Sequence, residues 1–284
     1  MNRAAAWVAF LLVVGSCASS QKSVEVPTAR ASLSVPKDLH ADVELATAVG
    51  RQLYVLDKVA AIGTDVVLTK VPDLGSRGLG GYIQLREADE DGHPKDSFLV
   101  FFFTAETPPR IAYRIRIKPE AEPEFEAFDP PASAPGSFTA FARARQVAIN
   151  SLPPTDQPIN PIVMPGATRG EKGVLVYLLA GTKRPNVAVF GRHFRALIPD
   201  GGTTPTYLLP LSNSILEIPT KGPNGETPVA LTVTHLVTDF PLETHVFNSL
   251  LLHLPIYVGT RRGVWLVDGD KVALVDEKVP AGVK

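Results

Sequence analysis

The sequence predicts an α+β protein made of two helix-plus-antiparallel-meander units, mostly antiparallel sheet, on three grounds. Apolar residues recur at helical spacing near the start of each half, short extended stretches follow each helix, and 26 prolines divide the chain into many short elements. In the first half Leu45, Val49, Leu53, Leu56 and Ala60 form one helical stripe, extended by Val66 and Val67 and ended at Pro72. Asp38 or Asp42 is placed to cap its start. Residues 82–87 and 98–103 predict two strands around the turn dipeptide Asp91-Gly92. Residues 110–118 alternate, with Ile111, Tyr113, Ile115 and Ile117 on one side and Arg110, Arg114 and Arg116 on the other, the pattern of a strand with one wet face.

Residues 119–136 are acidic and proline-rich, which predicts a linker or long surface loop. Ser137 then caps a second helix carrying Phe138, Phe141, Arg145, Ala148 and Leu152, which stops at Pro153-Pro154. Extended stretches follow at 173–179, 186–190, 194–198, 207–211 and 215–218. Residues 99–103 and 175–179 match in character, a likeness that duplication and chance both produce among short apolar strands. The final segment predicts a strand at 229–237, a helix at 241–253 and strands at 256–260, 263–267 and 271–275. Arg262-Gly263 and Asp268-Gly269 supply its turns.

The chain opens with Arg3, an uncharged apolar stretch over residues 4–14 and two small residues before Cys17, the layout of a secretory signal. That stretch is about half of the roughly 20 residues a spanning helix needs, which argues against a permanent transmembrane anchor. Val14-Gly15-Ser16-Cys17 resembles the lipobox of bacterial lipoproteins, and the resemblance implies a diacylglycerol on Cys17 after removal of the signal. Cys17 is the single cysteine, so it has no disulfide partner within the chain. Ala18 after it, by resemblance to enterobacterial sorting rules, favours the outer membrane, facing the periplasm or the cell surface. Ser16-Cys17-Ala18 also fits an ordinary signal-peptidase site, whose cleavage leaves a soluble periplasmic protein. The expected organisation is a signal over 1–16, a lipid-anchored tether over 17–40, a first α+β lobe over 41–118, the linker over 119–136 and a second lobe over 137–279.

A net charge of −1 without a Lys/Arg cluster leaves no footprint for nucleic acid. The expected partners are the membrane, through the lipid, and a protein or envelope ligand; no cofactor is expected. No G-x-S-x-G elbow occurs, and Ser249 near His253 is a pair of sequence neighbours. His235, Glu243 and His245 are the candidate metal ligands, since neutral imidazole and carboxylate both suit zinc, although their spacing is not HExxH. Asp89 to Gly92 superficially resembles a calcium loop, and a hairpin tip explains the same residues. Asp57 and Asp65 read as a solvated helix edge beside Lys58.

Residues 234–258, through Thr234-His235-Leu236, Glu243-Thr244-His245-Val246-Phe247 and Pro255-Ile256-Tyr257-Val258, resemble a group of uncharacterised bacterial exported proteins. The resemblance implies no activity, and it makes Glu243 and His245 the first positions to mutate. The sequence therefore points to a non-catalytic binding or structural module of the cell envelope. The alternative is a metal-dependent hydrolase centred on His235, Glu243 and His245.

Overall fold

Alanine, valine and leucine dominate residues 40–70, proline is absent, and the stretch forms one helix, α1 (His40–Lys70). The structure, a computed structural model, describes residues 34–222 and 224–277. The expected signal over 1–16, Cys17 and most of the expected tether lie outside the described residues. At 31 residues α1 is a rod about 46 Å long. It ends at Val71, held extended at φ −131° and ψ 79° by the proline that follows. Neither Asp38 nor Asp42 caps it: Leu39 holds the N-cap position, and Asp42 lies in the first turn, where the helix dipole favours an acid.

Strands β1 (Leu79–Ala88), β2 (Pro94–Thr104), β3 (Arg110–Ile117) and β4 (Glu124–Ser133) follow as an antiparallel meander in that order. β4 corrects the expectation of a linker over 119–136. Its Glu124 and Glu126 lie opposite Arg116 and Arg114 of β3, so the acidic stretch pairs with the arginine row of its neighbour. Pro130 and Pro131 are tolerated because β4 is an edge strand, where a missing N–H breaks no inner ladder.

Helix α2 (Gly136–Asn150) opens the second unit, with Pro135 at its N-cap rather than Ser137. After it come β5 (Ile159–Pro165), β6 (Val174–Ala180), β7 (Val187–Val189), β8 (Phe194–Ile198), β9 (Tyr207–Pro210) and β10 (Glu217–Pro219). Four of these form a second meander in the order β5-β6-β8-β9, while β7 and β10 pair separately. Residues 99–103 and 175–179 thus lie in β2 and β6, each the second strand of a meander that follows a helix. In the last segment β11 (Leu231–Thr234) runs parallel to β12 (Ile256–Thr260), with α3 (Glu243–Leu252) as the crossover. β13 (Gly263–Asp268) and β14 (Lys271–Asp276) complete that sheet in antiparallel fashion. The protein is α+β, with helices and mostly antiparallel sheets in alternation along the chain.

One stripe of α1 serves all three large sheets. Val43 packs with Trp265 of the third and with Val246 of α3; Val49, Leu53 and Leu56 meet Ile162, Leu175 and Tyr177 of the second. Farther along, Val59 and Val67 lie with Val100 and Ile115 of the first. On the opposite faces of the first two sheets, α2 inserts Phe138, Ala142 and Ala148 against Phe101, Phe103 and Val176. The described residues accordingly belong to one compact unit, not to two lobes on either side of a linker.

Gly50, in the third turn of α1, lets α3 approach closely. A Cβ there would lie 2.6 Å from Val246 Cβ and 2.7 Å from the Glu243 carbonyl oxygen. Because one of these neighbours is backbone, Gly50→Ala must push the helices apart. Overpacking of about 1–3 kcal/mol then outweighs the gain of about 1 kcal/mol in helix propensity. A lowered urea midpoint, followed through the fluorescence of buried Trp265, is the expected result; a raised midpoint would contradict this packing.

Candidate functional site

Glu243 opens the first turn of α3, where a carboxylate suits the helix dipole, and it is 1 % exposed. A buried carboxylate needs compensation, and the second sheet supplies it. Tyr177 Oη of β6 donates to Glu243 Oε1 at 2.7 Å, and Arg195 Nη1 of β8 donates to the same oxygen at 2.6 Å. Arg169, from the turn after β5, brings Nη1 to 3.6 Å. Glu171 extends the cluster by accepting from Tyr207 Oη at 2.7 Å. Burial disfavours the Arg195 charge, but the pull of Glu243 outweighs it and holds the guanidinium above its ordinary value. Burial, with Glu243 beside it, drives the Tyr177 phenol well up, and Tyr207 is pushed up to about 12 by burial and its bond to Glu171. The result is a charge-balanced knot locking α3 to the second sheet.

On the other side of α3, a cleft of about 480 Å³ is lined by His193, His235, Thr244, His245 and Asn248. The hydrogen bonds assign the imidazole tautomers. His193 Nδ1 accepts from the Ala180 N–H at 3.0 Å, and its Nε2–H donates to the Val189 carbonyl at 3.3 Å. Asn248 Nδ2 donates to that same carbonyl at 3.2 Å. His245 occupies the third position of α3, where Nδ1 accepts from the Leu242 N–H at 3.0 Å and ties off the helix start. His235 Nε2–H donates to Thr238 Oγ1 at 2.9 Å, whose hydroxyl passes to the Phe240 carbonyl at 2.6 Å.

The His235 and His245 rings meet edge to face with centroids 4.8 Å apart. Burial lowers His193 and His235 to about 4 and takes His245 well below its ordinary value, where His235 and His193 oppose a further positive charge. All three rings are therefore neutral at pH 7. What the pair can still offer the cleft is the Nδ1 acceptor of His235 and the Nε2–H donor of His245.

Of the candidate ligands His235, Glu243 and His245, the structure brings the two histidines together and commits Glu243 to Tyr177 and Arg195. Ser249 and His253 do not pair. Ser249 Oγ donates toward the Leu254 and Val267 carbonyls and accepts from the Gly269 N–H at 2.8 Å, which fastens α3 to the third sheet. His253 is the exposed left-handed cap of α3 at φ 53°. Among the described residues, Asp89, Asp91 and His93 are the group of three ligand types with atoms within 4.8 Å of one another. All three are exposed, and Asp89 Oδ1 accepts from the backbone N–H groups of Asp91 and His93, as a hairpin tip requires. Asp57 is half-buried and bonded to Asn160, while Asp65 plays no part with it.

Sequence reasoning missed Arg169, Tyr177, His193, Arg195 and Asn248. The available signal was a polar residue inside an apolar strand: Tyr177 in VLVYLLA and Arg195 in FRALI. Comparison with protein-family models, curated proteins and solved structures finds no match to this chain.

Proposed function

We propose that the protein is an envelope lipoprotein, held at the outer membrane through Cys17, that binds a small polar ligand in the His235–His245 cleft without carrying out chemistry on it. The observation that supports this reading is the commitment of the reactive groups. Glu243 is held by Tyr177 and Arg195, Ser249 by backbone, and His193 and His245 Nδ1 by backbone amides. Groups fixed in this way make a rigid recognition surface and poor acids, bases or nucleophiles. The cleft size falls within the roughly 300–1,000 Å³ common for small-molecule sites. Two measurements test the reading. Mass spectrometry of protein from its own membranes should find a diacylglyceryl group on Cys17; a mature terminus at Ser19 without lipid would reject the anchor. Native mass spectrometry should find a co-purifying small molecule on the wild type and none on His235→Phe, which fills the cleft.

The adjacency of two neutral imidazoles, His235 and His245, favours a second reading, a metal centre serving a hydrolase. Elemental analysis separates the two: stoichiometric zinc, lost in His245→Ala, supports the centre, and its absence from protein purified without chelator supports binding alone.

A further inference from the structure

We propose that the cleft beside α3 takes a neutral sugar, held by the side chains of His235, Thr244, His245 and Asn248. The inference rests on the binding reading of that cleft and adds the chemistry of its ligand. Three of these residues come from one stretch of α3. Thr244, His245 and Asn248 fall within an arc of about 100° on the helix, and all three line the cleft. The His235 ring, packed edge to face on His245, continues the same wall from the loop after β11.

Each of the four keeps one polar atom that the fold does not use. His235 Nε2 is committed to Thr238 and His245 Nδ1 to the Leu242 N–H, which leaves an acceptor at His235 Nδ1 and a donor at His245 Nε2. Asn248 Nδ2 is committed to the Val189 carbonyl, which leaves the acceptor Oδ1. Thr244 Oγ1, able to donate and to accept, has no partner among the described residues. None of these four atoms is sealed in the interior. Among the described residues, the unpartnered polar atoms closed to solvent belong to Gln84, Arg145, Arg169 and Arg195. The wall therefore presents two acceptors, one donor and one hydroxyl, side by side and open to the cleft.

The charge of the ligand follows from the rest of the lining. Among the described residues no Asp, Glu, Lys or Arg lines the cleft. Burial keeps both imidazoles neutral at pH 7. An ion moved from water into such a site loses hydration and meets no opposite charge. A neutral polyol exchanges its hydrogen bonds to water for hydrogen bonds to the wall. Its hydroxyls each donate and accept, so one ring serves a donor, two acceptors and a hydroxyl lying within about a turn of helix. Leu216, Val233 and Leu236 supply apolar surface in the same cleft, which suits the C–H faces of a sugar ring. Thr232 and Thr234, at the exposed positions of β11, add two more hydroxyls to the lining.

Saturation-transfer NMR on the full chain tests the assignment. The neutral probes are glucose, galactose, mannose and N-acetylglucosamine, each beside the 2-amino sugar and the uronate of the same ring. At least one neutral sugar should receive saturation from the wild type, and its charged counterparts should bind at least about tenfold more weakly. Thr244→Val removes one hydroxyl and breaks no internal hydrogen bond. It should keep the unfolding midpoint of the wild type and weaken that sugar roughly five- to tenfold. The assignment is overturned if no neutral sugar binds, if a charged counterpart binds as tightly, or if Thr244→Val leaves the affinity unchanged. A markedly lower midpoint for Thr244→Val would make the hydroxyl structural and overturn it too. Native mass spectrometry separates these failures from failure of the binding reading itself. A charged molecule held by the wild type and lost in His235→Phe keeps the cleft as a binding site and rejects the sugar. A ligand retained in His235→Phe rejects the cleft, and the sugar with it.

Discussion

Glu243→Ala is expected to be the most damaging single change in the protein, lowering stability by about 3–5 kcal/mol, the scale for breaking a buried ion pair. The loss comes from what is left behind. Arg195, Arg169 and Tyr177 keep their places in or near the second sheet, with side chains that are largely or fully buried and no carboxylate to meet them. Domain stabilities are commonly about 5–15 kcal/mol, so this one truncation removes a large share of the total. Glu243→Gln keeps the shape and can still accept from Tyr177, but it cannot neutralise Arg195, and an intermediate loss is expected. Pairing Glu243→Gln with Arg195→Met in a double-mutant cycle should recover part of the loss, since both charges leave together. Urea unfolding followed at Trp265 measures all three. A midpoint for Glu243→Ala equal to the wild type would show that the knot does not hold α3 in place.

Acid should begin to destabilise the protein above the range in which carboxylates titrate. His193 and His235 are buried neutral, with values near 4 against an ordinary 6.5, and His245 lies lower still. The unfolded chain takes up protons on these rings as the pH falls below about 6.5, and the folded chain does not. Their contribution is therefore fully present above pH 6.5 and is lost progressively as the pH falls toward 4. For His193 and His235 it is on the order of 3 kcal/mol each, at 1.36 kcal/mol per pKa unit. Unfolding free energy measured from pH 7.5 to 4.5 should fall steeply across this window. His235→Gln, which can still donate to Thr238, should flatten the fall by about one proton. A profile flat down to pH 5 would mean that these rings are solvated.

Much of the fold could be read from pattern. The stripe of α1, the Asp-Gly hairpin between β1 and β2, and the helix and three strands of the last segment all lie where spacing and turn residues put them. β4 and β5 escaped for a shared physical reason. Both contain prolines, which argue against a central strand, and both are sheet edges, where that argument loses its force. The site was half legible. Glu243 and His245 were singled out, but nearness in sequence suggested that they act together. Two positions on a helix are about 200° apart, so the side chains leave α3 on nearly opposite sides. One joins Tyr177 and Arg195, and the other faces the cleft. Their partners come from strands far along the chain, and no local spacing records a long-range pairing.

Because a single helix serves three sheets, α1 acts as a phase reference for the whole fold. Inserting one residue between Leu56 and Val59 would turn everything beyond it by about 100°. Val59 and Val67 would swing off the first sheet while Val49 and Leu53 stayed on the second. Loops elsewhere can lengthen or shorten with little consequence. In this helix the residue count between contacts is as constrained as the residues themselves, and an insertion or deletion there is a lesion no change of side chain can repair.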